Sequence, residues 1–346
     1  MTRREDYNLG FILQYENVAW FDEEDGSVRI LDRRIYPLKK EFVVCKTYRE
    51  TAQAIKDMVT QSGGPFAAAA MGMAQAGYQF KDLPAGQYMQ AMEQAAYELS
   101  HARPTTGAEM ERCTERSLSV FKDLMNKGAN SDSIVKALKD EAVAQNDRRY
   151  KKNMQAGARF AALVPVGSAI LTQCFGETTV GGFLRAFNET GKRIKVYCAE
   201  TRPFFQGARL TASLAFDMGF DTTVITDNMP AVLMAEKKVN FAVSASDVIT
   251  MDGSVINKIG TLQIAVCARY FGIPYYAIGF PDKRYASADG VQIEYRAPQE
   301  VLQAMGVQTA QNGVQGLYPA FDITPPELYA GIITDEAVLN PLDFKQ

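Results

Sequence analysis

Among side chains able to move protons, the sequence is poorest in histidine: His101 stands alone, beside five cysteines, Cys45, Cys113, Cys174, Cys198 and Cys267. One histidine cannot build an HExxH helix, a multi-histidine zinc cage or a histidine-ligated two-metal centre. A serine triad would have to be organised around His101. The cysteines are odd in number, widely spaced and never paired as CxxC. That pattern suits reduced thiols in a cytoplasmic protein rather than disulfides or zinc ligands. Proton chemistry then falls to carboxylates and thiols. Cys174, Glu200, Asp227 and Asp247 stand out because each closes or follows a short apolar run. Neither the dinucleotide fingerprint GxGxxG nor the phosphate loop GxxxxGKS/T occurs. The expectation is a cofactor-free reaction on a small phosphorylated metabolite.

The elements that must position these groups come in two styles. Val18–Asp22 and Ser27–Asp32 flank an Asp25-Gly26 turn and read as a β-hairpin. Apolar residues then recur at three- and four-residue steps over 47–61, 65–79, 85–102, 106–127 and 131–155, the mark of helices. From residue 160 the pattern alternates. Short β-branched runs at 169–174, 194–198, 222–226, 241–244 and 275–278 are separated by helical stretches at 181–190, 207–218, 231–238 and 258–271. Such alternation predicts a parallel sheet with right-handed crossovers. The expected fold class is therefore α/β: a mainly helical N-terminal domain with a small β segment, over 1–155, and a Rossmann-like domain over 156–346. A further strand is expected at 291–295, and a final helix at 327–331 after Pro325-Pro326. Open α/β sheets bind ligands beyond the carboxyl ends of their strands, where the four singled-out residues fall.

Composition narrows the partners. Lys+Arg (37) and Asp+Glu (40) leave a formal charge of −3, without the basic excess expected of a nucleic-acid partner. The long uncharged runs at 62–80 and 160–176 carry Gln75, Gln79, Pro165 and Gln173 and read as buried core, not membrane spans. The first twenty residues are interrupted by acids and lack a signal-peptide core.

Three blocks carry a resemblance. They are Arg202-Pro203-Phe204-Phe205-Gln206-Gly207-Ala208-Arg209-Leu210-Thr211-Ala212, then Ile225-Thr226-Asp227-Asn228-Met229, then Ser246-Asp247 with Asn257-Lys258-Ile259-Gly260-Thr261. The chain resembles the methylthioribose-1-phosphate isomerase family, which is akin to ribose-1,5-bisphosphate isomerase and to regulatory subunits of the translation-initiation exchange factor. The resemblance implies a homodimer and a cofactor-free aldose-to-ketose isomerisation of a sugar 1-phosphate. It implies Cys174 and Asp247 as the catalytic pair. Arg103, Gln206, Asn257 and Lys258 match its substrate-binding positions. The family's Arg-Gly-Ala-Pro turn reads Ser62-Gly63-Gly64-Pro65 here, so its arginine is replaced and backbone amides of Ser62, Gly63 and Gly64 are expected to cradle the phosphate. Phe175 and Val248 also depart from the pattern, and Lys283 or Arg284 could restore a charge.

The implied reaction has a specific difficulty. An anomeric phosphate stops the ring opening as a free aldose does, so an acid must protonate the ring oxygen before a proton moves from C2 to C1. Asp247 suits the acid role if an apolar site raises its pKa. Cys174 would act as base or as transition-state stabiliser, the former if a helix N-terminus favours its thiolate. Lys258, expected at a helix start, would meet the phosphate with amides around it. Expected substrates are methylthioribose-1-phosphate or 5-deoxyribose-1-phosphate, in methionine or nucleoside by-product salvage. The rivals are a ribose-1,5-bisphosphate isomerase and a silent regulatory protein binding a sugar phosphate or nucleotide.

Overall fold

The Asp25-Gly26 turn does close a hairpin. In the computed structural model, which describes residues 3–103 and 107–345, a short helix α1 (Tyr15–Val18) leads into β1 (Ala19–Phe21) and β2 (Val28–Leu31), paired antiparallel. A strand not expected from the sequence, β3 (Phe42–Cys45), adds to β2. Its four residues are half-exposed except for Cys45 and give little periodic signal. Chain contacts divide the molecule into two compact units, 1–151 and 152–346.

The first unit is otherwise helical: α2 (Tyr48–Lys56), α3 (Gly64–Phe80), α4 (Ala85–Ser100), α5 (Gly107–Asn126) and α6 (Ser131–Leu163). Thr47 caps α2 by accepting from the Glu50 N–H at 3.2 Å. The alanine-rich α3 is buried over Ala67–Gly77 and packs on α2, α4 and α5, with Leu99, Met92, Phe121 and Leu138 filling the surrounding core. Helices apolar on every side are interior ones. The expected helix start at Thr106 lies outside the described residues, as do Pro104 and Thr105. Helix α6 does not stop at 155 but continues to Leu163. In this extension Gly157 permits close approach: a Cβ there would lie 2.3 Å from the Gly182 carbonyl carbon, so α6 runs against the backbone of the following helix.

The second unit is a twisted α/β sandwich. Its elements are β4 (Ala169–Gln173), α7 (Thr178–Glu189), β5 (Lys195–Ala199), a π-helical turn Gly207–Thr211 running into α8 (Ala212–Asp217), β6 (Asp221–Ile225), α9 (Pro230–Ala235) and β7 (Phe241–Ala245). Then come β8 (Val248–Ile249), β9 (Val255–Lys258), α10 (Thr261–Phe271), β10 (Tyr275–Ile278), β11 (Gln303–Ala304), β12 (Val307–Gln308), β13 (Phe321–Thr324), β14 (Gly331–Ile333) and β15 (Val338–Leu339). The main sheet runs β15-β14-β10-β7-β4-β5-β6, parallel except for β15. A smaller antiparallel sheet runs β13-β9-β8.

Three expectations are corrected. Residues 291–295 form no strand; only Tyr295 bridges to Pro319. Residues 327–331 form no helix: one 3-10 turn, Pro326–Leu328, gives way to β14, because the Ala330 N–H donates to the Tyr275 carbonyl at 2.7 Å and draws the chain into the sheet. Lys258 ends β9 and starts no helix, since Phe321 on β13 pairs with it. Among the described residues, no helix is long and apolar enough to cross a membrane.

Candidate active site

Strand order fixes the place. The chain moves from β4 outward through β5 to β6, then returns to β7 on the other flank of β4. The crevice of an open α/β sheet lies at this reversal, beyond the carboxyl ends of the two flanking strands. Cys174 follows β4 and Asp247 follows β7.

Cys174 is held in a left-handed backbone conformation, φ +55. That geometry is uncommon outside glycine and needs support from its surroundings. Its N–H donates to Thr201 Oγ1 at 2.8 Å, and its carbonyl accepts from the Thr211 hydroxyl. Thr201 is itself fixed: Asp227 accepts from the N–H groups of Thr201 at 2.8 Å and Arg202 at 2.7 Å. Asp227 thus braces the loop after β5 that holds the cysteine. Burial pushes the Cys174 thiol up to about 11; the Lys258 ammonium pulls it down and the Asp247 carboxylate pushes it up. The expected thiolate is therefore not the resting form, because desolvation outweighs the cationic neighbours.

Asp247 differs from expectation too. It lies exposed between β7 and β8, with its N–H donating to the Ile256 carbonyl at 3.0 Å. The apolar run of β7 ends at Ala245, so the carboxylate stands at the mouth of the sheet rather than inside it.

The β9–α10 corner supplies the next group. Lys258 is buried, its Nζ donating to the Ala320 carbonyl at 3.0 Å and standing 4.2 Å from the Phe321 ring centre. Burial lowers its pKa, Cys174 raises it, Arg296 lowers it, and Asp247 and Glu294 raise it. The thiol, the carboxylate and the ammonium are thus electrostatic neighbours. Asn257 donates to Thr261 Oγ1 at 3.0 Å, and Gln173 donates to the Lys258 carbonyl at 3.0 Å. The first amides of α10 are already engaged. Asp322 accepts from the N–H groups of Gly260 at 2.7 Å and Leu262 at 3.1 Å, so the expected anion site at this helix start is occupied by the protein's own carboxylate. Burial raises Asp322 to about 6, against these amide bonds and Lys258, which lower it.

Gln206 sits in the loop entering the π-helical turn. It is buried, and its Oε1 accepts no hydrogen bond among the described residues. A buried amide oxygen without a protein donor is suited to a ligand hydroxyl. Gly207 is required beside it: a Cβ there would lie 1.8 Å from the Ala199 carbonyl oxygen.

Other candidates resolve into scaffolding. Arg202 donates to the Gln303 carbonyl at 2.8 Å, and Arg209 to the Phe204 carbonyl at 2.7 Å. Arg284 pairs with Asp282, and Lys283 is exposed. The residues missed from the sequence, Glu294, Arg296, Tyr318 and Asp322, all lie between β10 and β14. The Glu294–Arg296 spacing of two was the available signal.

In the first unit, Ser62 is left-handed (φ +59) and Gly63 precedes α3. The Gly64 amide donates to the Gln61 carbonyl at 3.1 Å, so it does not join the expected cradle. Arg33, fully buried, fastens this turn by donating to the Gln61 carbonyl at 2.6 Å. Arg103 is half-buried and engaged. His101 ends α4, exposed and stacked on Tyr97 at 4.1 Å. Burial raises the thiols of Cys113 to about 11 and Cys198 to about 12, as inert core cysteines require. Among the described residues, no group of three or more His, Cys, Asp or Glu side chains is placed to hold a metal ion.

Known proteins share this architecture. The profile of the initiation factor 2 subunit family matches residues 65–341. The methylthioribose-1-phosphate isomerase of Thermotoga neapolitana is 36% identical over 329 residues, covering 91% of this chain and 93% of the relative. That of Thermotoga maritima is 36% identical over 342 residues, covering 95% and 96%. The crystal structure of 5-methylthioribose 1-phosphate isomerase from Pyrococcus horikoshii superposes with a TM-score of 0.82 at 30% identity, covering 95% of this chain and 93% of that one. The translation initiation factor eIF-2B subunit delta from A. fulgidus superposes with 0.81 at 30% identity, covering 94% and 96%.

Proposed function

The chain belongs to the initiation factor 2 subunit family, and from that premise we propose that it is an aldose–ketose isomerase acting on a ribose 1-phosphate carrying a 5-methylthio or 5-deoxy group. The observation that carries the reading is the convergence of Cys174, Asp247 and Lys258 at the β4/β7 reversal, in a chain whose relatives at 36% identity bear the isomerase name. Asp247 gives a proton to the ring oxygen as the ring C1–O bond breaks; as carboxylate it then carries the proton from C2 to C1, and the proton released by the C2 hydroxyl as the ketone forms restores the acid. Between the two roles open to Cys174, the raised thiol favours the stabiliser: the S–H hydrogen-bonds to the oxygen on which charge develops. Gln206 accepts from a sugar hydroxyl, and Asn257 and Lys258 bind the substrate. Arg103 and the Ser62–Gly64 turn carry over from the resemblance as substrate-binding positions. The product feeds methionine or nucleoside by-product salvage, in the cytoplasm, and the working form is a homodimer.

Assay of the purified protein with methylthioribose-1-phosphate, 5-deoxyribose-1-phosphate and ribose-1,5-bisphosphate tests the reading. The expected result is turnover of one of the first two, reduced by roughly a thousandfold or more in Asp247→Asn. Cys174→Ser, which keeps a donor, should fall by only about 10- to 100-fold, and Cys174→Ala by more. An equal, complete loss in Cys174→Ser and Asp247→Asn would make the thiol the base. No turnover of any of the three would overturn the isomerase reading and favour a binding protein.

A further inference from the structure

We infer that Arg296 is a further substrate-holding residue: together with Lys258 it forms a two-cation cradle for a phosphoryl group, with Glu294 as its resident counter-charge. The inference rests on the sugar-phosphate reading and adds a residue that neither the sequence blocks nor the resemblance supplied.

The cradle is built by the chain between β10 and β14. The Arg296 N–H donates to the Tyr318 carbonyl at 2.9 Å, and the Ala320 N–H to the Glu294 carbonyl at 2.8 Å. This pairing runs on into β13, whose Phe321 lies opposite Lys258 on β9. One ring thereby carries two cations: Lys258 Nζ is 4.2 Å and Arg296 Cζ 5.7 Å from the Phe321 centre. The Cys174 thiol is within electrostatic reach of both. The Tyr318 hydroxyl is buried beside Arg296 and within electrostatic reach of Cys174.

The charge balance is uneven. Lys258 makes no ion pair among the described residues; its Nζ donates to the Ala320 backbone carbonyl. The Arg296 side chain is 13% exposed; it reaches Glu294 through Nε, at 2.9 Å, and Nη2, at 3.3 Å, and also interacts with the Tyr318 side chain. Two cations gathered in a poorly hydrated place repel each other, and Arg296 does hold the Lys258 pKa down. A phosphoryl dianion removes that repulsion and matches the planar fork of arginine. Arg296 thus adds a second cationic side chain to that of Lys258 for a phosphoryl group.

The test is calorimetric binding of inorganic phosphate to the full-length protein and to Arg296→Gln, Arg296→Lys and Glu294→Gln, with thermal midpoints measured in parallel. Arg296→Gln should weaken phosphate by about tenfold or more, Arg296→Lys by less, and Glu294→Gln should tighten it several-fold. KM for the sugar phosphate should follow the same order, with kcat moving less. A structural ion pair predicts the opposite pattern: Arg296→Gln and Glu294→Gln lower the thermal midpoint alike and change phosphate affinity less than twofold. That pattern, or absence of phosphate binding by the wild type, overturns the proposal. Because binding is read without turnover, failure of the isomerase assay leaves this result independent.

Discussion

Asp322 shows how one residue serves two purposes at a cost. Its carboxylate holds the Gly260 and Leu262 amides at the corner carrying Asn257 and Lys258, yet burial raises its pKa from 3.8 to about 6. Folded, it binds its proton more tightly than unfolded. Between about pH 4 and 6 the native state therefore holds more protons, and this contribution to stability falls as pH rises through that window. The loss above it is on the order of 2–3 kcal/mol, since a pKa unit is worth about 1.4. Asp322→Asn removes this dependence. The thermal midpoint of the wild type relative to Asp322→Asn should be higher at pH 5 than at pH 7.5; parallel profiles would show that Asp322 does not titrate in this range. The positions of Cys174 and Asp247 at the ends of apolar runs were legible in the sequence, as were those of Glu200 and Asp227, and the resemblance set the first two apart. Their protonation was not, because it depends on burial of Cys174 and on Lys258 arriving from another strand.

At the scale of elements, the π-helical turn Gly207–Thr211 is the part most closely tied to the site. It places Thr211 on the Cys174 carbonyl and lets Gly207 touch the end of β5. π-Turns of this kind recur at functional sites. Gly207→Ala should lower stability by about 1–3 kcal/mol and kcat with it, since the displaced turn carries both Gln206 and Thr211. Unchanged unfolding midpoints would show that the backbone gives way freely. Thr211→Val should leave the fold intact and reduce kcat more than it changes KM, which steady-state kinetics would read directly. The parallel strands and long helices were legible because their periodicity is local. Strands β3, β8, β9 and β13 were not, being two to four residues long and defined by their partners. Lys258 shows why: helical spacing continues through it, and only pairing with Phe321 makes it a strand end.

For the whole molecule, the contact-based division falls between residues 151 and 152, and α6 crosses it uninterrupted. The proposed homodimer predicts twice the chain mass in sedimentation equilibrium at micromolar concentration; a single-chain mass would remove it. The β9–β13 ladder has a consequence for folding. It pairs residues 63 to 69 apart, from Lys258 with Phe321 to Val255 with Thr324. Closing a loop of that length costs roughly 4 kcal/mol of chain entropy before any contact compensates it. Strand β4 meets β5 across a far shorter stretch. The sheet that carries Cys174 can therefore assemble early, while Lys258 and Arg296 come together late, after the segment through Phe321 has been synthesised. A ribosome-bound chain short of that point would hold its thiol in place and still lack its anion cradle.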